Sequence, residues 1–303
     1  RVVVAVLALV VVSALPVENG SDEYINTPIG PLLSSCVREV PSGALLEELA
    51  TGEVRVTADG VSSILPPCRK ADAPLFLGAG ANPLPSDYDG WEAYTAFKDN
   101  SSAGFDAFLG YFSVPDKPEH AASVLYLFTG LQNIDWIPKV DPFPSVDFDI
   151  IQPVLQYPCS YFERYWCVKS WYVTLNAGAL TSPGERVEPG DKIYGNMTRT
   201  GATSWFVGST VASTGKTVSI TADNARLTTQ PWAYNTLECY GCSGCGTYPK
   251  QPCNFTQLQL IDHDGQTVSP VWLANPKPTK DPQCQENVTI IDPQTVSVYF
   301  TTQ

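Results

Sequence analysis

The chain has 303 residues, 44% of them apolar and only 16% charged, against about 25% charged in ordinary soluble domains. That balance excludes coiled coils, helical repeat arrays and charged disordered tails. Lys and Arg number 18 against 31 Asp and Glu, for a formal charge of -13, so the chain repels phosphate backbones and nucleic acid is excluded as a partner. Two histidines, His120 and His263, leave little room for a Ser-His-Asp triad or a His-rich metal site. No metal and no cofactor is expected.

The chain opens on an apolar, β-branched run: Val2, Val3, Val4, Val6, Leu7, Leu9, Val10, Val11 and Val12 within residues 1–17. Two readings stay open. As a leader, it has a basic start at Arg1 and small or aliphatic residues, Val12 and Ala14, before a cleavage point. It is shorter than the ~20 apolar residues of a spanning helix, so no transmembrane span is expected. As part of the folded protein, valine favours a strand. Such a strand is expected in a groove or sheet edge of another copy, as in donor-strand exchange, or buried in its own domain. Exchange between copies is head-to-tail and gives a homopolymer rather than a closed dimer.

Residues 18–89 read as an extension and linker. Ala44–Ala50 is a short helix candidate, with Ser42 as N-cap and Gly52 as its stop. Residues 53–57 alternate like a strand, and residues 75–89, with Gly78, Gly80, Pro83 and Pro85, read as a linker. From Trp91 onward short alternating runs recur between turn signals: Phe105–Val114, Ser123–Phe128, Phe148–Leu155, Ser170–Leu175, Lys192–Asn196, Ser204–Val207, Thr217–Thr221, Trp232–Leu237, Phe255–Leu260, Val288–Ile291 and Thr295–Thr301. This is an all-β pattern, and it predicts a two-sheet antiparallel β-sandwich over residues 90–303.

Five N-x-S/T sequons, at Asn19, Asn100, Asn196, Asn254 and Asn287, point to a secreted, extracellular protein carrying N-linked glycans. Nine cysteines then predict disulfides, with one thiol left over. Cys36 and Cys68 stand alone in the first third and are candidates to pair. Cys159 and Cys167 bracket a short loop. Cys239, Cys242, Cys245, Cys253 and Cys284 remain, the first three spaced for a disulfide knot in preference to zinc. The leftover thiol is a candidate to lock neighbouring copies together.

Other polar positions have plain explanations. Asp147 and Asp149 alternate onto one strand face, a pairing that serves calcium or glycosidase sites but is read here as a solvated face. Gln152 and Gln156 also share a face. His120 follows a turn, and His263 sits in the hairpin-tip signature Asp262-His-Asp-Gly265.

The ordered segments of residues 90–303 resemble the eqolisin-type glutamic peptidases. Gly90-Trp91-Glu-Ala resembles that family's Asn-Trp-Ala-Gly opening, and Phe105–Pro115 its strand ending in Val-Pro. Phe128-Thr-Gly-Leu-Gln132 stands where the family has Trp-Val-Gly-Ile-Asp. Ile150-Ile151-Gln152 resembles the segment of the catalytic glutamine, and Ser170-Trp171-Tyr172 its Ala-Trp-Tyr strand. Val187–Asp191 resembles the turn before the next strand, and Thr214-Gly-Lys-Thr its hairpin. Trp232–Glu238 resembles the strand ending in the catalytic glutamate, and Thr295–Phe300 the closing strand. The resemblance implies a concanavalin-like jelly roll. Glu238 would act as general base and then acid, Gln152 would orient the water and hold the oxyanion, and Trp91, Gln132 and Trp171 would line the substrate groove. Lys169 and Val173 replace acidic residues of the family, and Lys169 is expected to lower the pKa of Glu238.

Three functions are thus expected from the sequence. The first is a structural glycoprotein polymerising through its N-terminal strand. The alternative is an acid endopeptidase with residues 1–89 as a leader or propeptide. A carbohydrate-binding lectin is the third.

Overall fold

A computed structural model describes residues 24–68, 90–101, 103–120, 122, 124–138, 148–160, 162–275, 284 and 286–300. The apolar run Val2–Val12, the sequon at Asn19, the linker 75–89 and Asp147 lie outside the described residues. The strands are, in chain order, β1 (Tyr24–Thr27), β2 (Gly30–Leu33), β3 (Val37–Glu39), β4 (Ala44–Glu48), β5 (Val54–Ala58), β6 (Val61–Leu65), β7 (Gly90–Lys98), β8 (Phe105–Ser113), β9 (Val124–Gln132), β10 (Asp149–Tyr157), β11 (Trp166–Thr174), β12 (Gly178–Thr181), β13 (Glu185–Val187), β14 (Lys192–Arg199), β15 (Ser204–Val211), β16 (Thr217–Asp223), β17 (Trp232–Tyr240), β18 (Cys253–Asp262), β19 (Thr267–Val268), β20 (Leu273–Ala274), β21 (Asn287–Asp292) and β22 (Thr295–Tyr299). Each of the runs expected from Phe105 onward overlaps a strand among its described residues. Among the described residues the only helices are 3-10 turns of three or four residues, and none is long and apolar enough to cross a membrane.

Two large sheets stack as a sandwich. A nine-stranded sheet runs β20-β7-β17-β9-β10-β11-β12-β3, with β13 beside β11. An eleven-stranded sheet runs β21-β22-β18-β8-β14-β15-β16-β4-β5-β6, with β19 beside β18. The period-2 alternation of strands sends one set of side chains between the sheets: Leu125, Leu127, Leu131, Ile151, Leu155, Val168 and Tyr172 from the nine-stranded sheet meet Phe108, Phe112, Ile193, Met197, Trp205 and Val207 from the other.

The pairing is antiparallel except where residues 37–48 join in. There β3 runs parallel to β12 and β4 runs parallel to β16, so the N-terminal extension adds strands to both sheets. The expected helix at Ala44–Ala50 is therefore a strand. Its Ala, Leu and Glu residues favour helix by propensity, but alternation buries Ala44 and Leu46 completely in the sandwich core, and tertiary packing overrides propensity. Ser42 does not cap a helix: its hydroxyl accepts the Ser219 N–H at 3.1 Å, fixing the register of β4 on β16.

Two further ties hold the extension. Cys36 is bonded to Cys68. The Glu48 carboxylate, with only 4% of its side chain exposed, faces Arg226 at 2.6 Å and accepts from the amides of Asn224 and Asn176. The remaining disulfides are Cys159–Cys167, Cys239–Cys242 and Cys245–Cys284. The leftover thiol is Cys253, which is fully buried and donates to the Ser113 carbonyl at 3.3 Å; burial raises its pKa. The expectation that this thiol links neighbouring copies is corrected: it faces the core of its own domain.

Removing one partner of a buried ion pair strands the other charge, at a cost of about 3–5 kcal/mol. Glu48→Ala is therefore expected to lower unfolding stability by about 3 kcal/mol or more in urea titrations. Glu185→Ala, which breaks the exposed pair with Lys216 at 2.9 Å, should change it by less than about 1 kcal/mol.

Candidate functional site

The outer face of the nine-stranded sheet is not solvated. Every one of the nine positions of β9 and of β10 is buried. The side chains pointing away from the sandwich core form a second apolar cluster: Trp91, Tyr94, Tyr126, Phe128, Ile150, Val154, Trp171, Val173, Tyr234 and Tyr240. Ile29 and Leu32 of the β1–β2 hairpin, at 1% and 0% exposure, close over this cluster together with Trp136, Ile137 and Phe148. The hairpin pairs only with itself, so it lies on the face without extending the sheet. Its backbone is held from below by the Tyr126 hydroxyl, which donates to the Asn26 carbonyl at 2.7 Å.

Both expected catalytic residues are on this face. Alternation along β10 aligns Gln152 with Ile150 and Val154, and alternation along β17 aligns Glu238 with Tyr234 and Tyr240. Register separates them. Glu238 pairs with Tyr126 of β9, and Tyr126 pairs with Gln156 of β10. Gln152 lies four residues further along, in the row of Gly130 and Tyr234, because Ile151 pairs with Leu131 and Tyr234 with Gly130. Four residues span about 13 Å along a strand. The glutamine in line with Glu238 is thus Gln156, and the expected direct meeting of Gln152 with Glu238 is replaced by two polar positions on one continuous face.

A register shift between β7 and β17 at Leu237/Glu238 brings Trp91 to the same face. Ala93 pairs with Leu237 and Trp91 with Glu238, leaving Glu92 as the extra residue; such bulges re-aim side chains. Trp91 is fully buried, in edge contact with Phe128 and Tyr234. Trp171 sits beside Gln152 across the β10–β11 pair and edge-on to Tyr126.

The polar atoms here are unusual. Buried polar groups are normally satisfied, yet several side-chain atoms on this face are fully enclosed and have no hydrogen-bond partner: both amide atoms of Gln152, Oγ1 of Thr236, Oε1 of Gln156 and the indole nitrogen of Trp171. Glu238 Oε1 accepts from the Tyr240 hydroxyl. Burial pushes the Glu238 carboxyl well above the ordinary carboxylate range, with Tyr240 and Trp91 opposing and Glu92 adding to the rise. The expected lowering by Lys169 does not occur: Lys169 pairs with Val154 of β10, three strands from Glu238, and burial dominates. Tyr126 is also raised, by burial first and by the neighbouring Glu238 second.

The other expected positions divide. Gln132 is buried and donates to the carbonyls of Ile134 and Trp136, at 2.5 and 2.8 Å; it holds the loop after β9. Asp149 is buried and accepts from Gln230 at 2.8 Å, so the solvated reading of that position is corrected. His120 and His263 are exposed, and His263 lies 3.2 Å from Asp106 at a hairpin tip. Among the described residues no cluster of His, Cys, Asp and Glu is arranged to hold a metal. Tyr126, Thr236 and Tyr240 escaped the sequence reading, although each alternates in step with Gln132 or Glu238.

A carboxyl held neutral by burial stabilises the fold at low pH, and that contribution is lost as pH rises through its raised pKa. Melting temperature is expected to fall as pH is raised above the ordinary glutamate range near 4.3. Glu238→Gln should flatten that fall and melt higher than the parent chain at pH 7–8.

No protein-family model matches the chain, and no curated protein matches it in sequence. Solved structures similar to it include the following three. Scytalido-glutamic peptidase with a transition state analog inhibitor is 16% identical over 70% of this chain and 98% of that one, with a TM-score of 0.49. The same peptidase with a peptide based transition state analog is 16% identical over the same shares, at 0.48. SCP-B, a member of the eqolisin family of peptidases, in complex with the tripeptide Ala-Ile-His, is 17% identical, again over 70% and 98%, at 0.46. Likenesses at this level concern the arrangement of strands and not the chemistry.

Proposed function

We propose that the outer face of the nine-stranded sheet is a peptide groove of the glutamic-peptidase kind, working at acid pH and closed by the chain's own N-terminal hairpin. One observation carries this reading. Glu238 and Gln152, both fully buried and the latter with unpartnered amide atoms, share a face that is covered by an extended stretch of main chain. That stretch already presents a peptide carbonyl, Asn26, to the Tyr126 hydroxyl, and Tyr126 pairs with Glu238 in register.

The chemistry follows from these positions. Near its raised pKa, Glu238 can take a proton from an attacking water and hand it to the leaving amine. Tyr126 donates to the peptide carbonyl, and the Gln152 amide and the Gln156 Oε1 are the groups available to orient water and extended substrate, the Gln156 NH2 being held by the Pro158 and Cys159 carbonyls. No cofactor enters this scheme. The hairpin occupies the groove, so activity requires its displacement or cleavage upstream of Gly90.

The test is hydrolysis of an unfolded protein substrate at pH 3–7, read by mass spectrometry, before and after limited proteolysis that removes the hairpin. Cleavage is expected only at acid pH and more strongly after processing, with Glu238→Gln lowering the rate by about 100-fold or more. An unchanged rate in Glu238→Gln, or no cleavage by the processed protein, would sink the reading.

A second reading, assembly into an extracellular filament by exchange of the apolar run Val2–Val12, is favoured by one observation. The eleven-stranded sheet ends on β6, an exposed strand bearing Val61 and Ile64 at 71% and 49% exposure. Unpaired edges of this kind accept strands from other chains. Disulfides and the sequons fit secretion. Asn100 and Asn287 are exposed, and Asn196 and Asn254 half-exposed. Treatment with an N-glycanase is expected to lower the mass of the secreted protein by at least two glycans, and deleting residues 1–17 from the mature protein should leave monomers. A bare polypeptide mass, or polymers formed by the truncated chain, would contradict these expectations.

A further inference from the structure

At the β3 end of the covered face the hairpin leaves a cavity of about 520 Å³, lined by Asn26, Glu39, Tyr126, Gln156, Lys169 and Trp171 among others. That is the size of a small-ligand site. Its one cation among the lining residues is Lys169, on β11. Only 13% of the Lys169 side chain is exposed, against 55% for its partner Glu39, 3.3 Å away. The lysine is thus the enclosed member of the pair and the glutamate the exposed one.

The site is built around that ammonium. A Cβ at Gly184 would stand 3.2 Å from Lys169 Cε and 2.9 Å from Cys159 Sγ, so the lysine stem lies on a glycine beside the Cys159–Cys167 bridge. The remaining acid near it, Glu163, is engaged by Tyr165 and Ser160 at 2.6 and 3.0 Å. Two further lining groups, buried Gln156 and Trp171, each carry an unpartnered polar atom. The Trp171 N–H is a donor, and Gln156 Oε1 is an acceptor suited to a peptide N–H.

We propose that this cavity is a subsite for a carboxylate of a bound peptide, with Lys169 as counter-charge and Glu39 as the internal group it displaces. The inference rests on the groove reading above and deepens it by naming a substrate class: peptides with an acidic side chain or a free chain end at this position. Trp171 and Gln156 satisfy the adjoining main chain. A buried lysine is well suited to this discrimination, because a neutral isostere leaves the ammonium without a new partner while Glu39 stays in place.

The test is a binding measurement on the full chain carrying Glu238→Gln, so that probes are not consumed. Three acetylated tripeptides are titrated by calorimetry at pH 6: Ala-Ala-Glu amide, Ala-Ala-Gln amide and Ala-Ala-Gln with a free carboxylate. At least one charged probe is expected to bind tenfold or more tightly than the neutral amide, and which one does so identifies the carboxylate source. Raised salt should narrow the gap. Lys169→Gln should erase it, Lys169→Arg should keep it, and Glu39→Gln should tighten the charged probe by removing its competitor. Equal binding of all three peptides, a preference that survives Lys169→Gln, or no gain from Glu39→Gln overturns the proposal. Where Lys169→Gln fails to fold, the Lys169→Arg and Glu39→Gln chains decide. Absent hydrolysis with the charge preference intact would count against the chemistry at Glu238 alone. Hydrolysis without a charge preference would count against this subsite alone.

Discussion

The structure depends on one requirement: the nine-stranded sheet is apolar on both faces, so both must be covered. A sheet buried on both sides reads as continuous hydrophobic strands rather than alternating ones, and β9 and β10, buried at every position, are of that type. One face meets the eleven-stranded sheet. The other carries Tyr, Trp and Phe side chains whose exposure would leave an adhesive patch far larger than a monomer tolerates. The β1–β2 hairpin and the segment around Trp136 satisfy this requirement, and the raised carboxyl of Glu238 follows from the same coverage.

The N-terminal region meets this need in two mechanically different ways. Residues 37–65 are woven in: β3 and β4 pair in parallel with β12 and β16, and Glu48 is locked by Arg226. The hairpin at residues 24–33 has no ladder to the sandwich and is retained by apolar contact and the Tyr126–Asn26 bond. Segments with few cross-links open at lower free energy than the body of a fold. The Cys36–Cys68 bridge lies just beyond the hairpin, so opening ahead of it leaves the woven part in place.

Much of the sandwich was legible because alternation survives in strands with one polar side: β8, β14, β16 and β18 show it plainly. The extension was harder to read. Ala44-Leu-Leu-Glu-Glu48 has helical propensity, and it is a strand because it pairs with β5 on one side and, on the other, with β16, more than 170 residues away. That Gln152 and Gln156 share a face was readable from period-2 patterning, and that Glu238 shares it was implied by the family resemblance, whereas the offset between Gln152 and Glu238 was not legible. Pairing register across β9 is a non-local property, and a four-residue slip leaves every side chain on the face the pattern assigns. Gln156 looked like an ordinary polar strand position for the same reason: what distinguishes it is that Tyr126 connects it in register to Glu238.

The enclosed polar atoms of the covered face bear on whether the hairpin is a permanent lid. Each buried group without a partner costs about 1–3 kcal/mol, and net stability of a whole domain is only about 5–15 kcal/mol. A hairpin selected purely to stabilise would be expected to place hydrogen-bonding groups against Gln152, Thr236 and the Trp171 indole, and it does not. It supplies Ile29 and Leu32 instead. An extended peptide that offered both apolar side chains and main-chain donors and acceptors would recover the apolar contact and satisfy those atoms as well. On the peptide-groove reading, these enclosed polar atoms are where an extended substrate would gain hydrogen bonds that the hairpin does not supply.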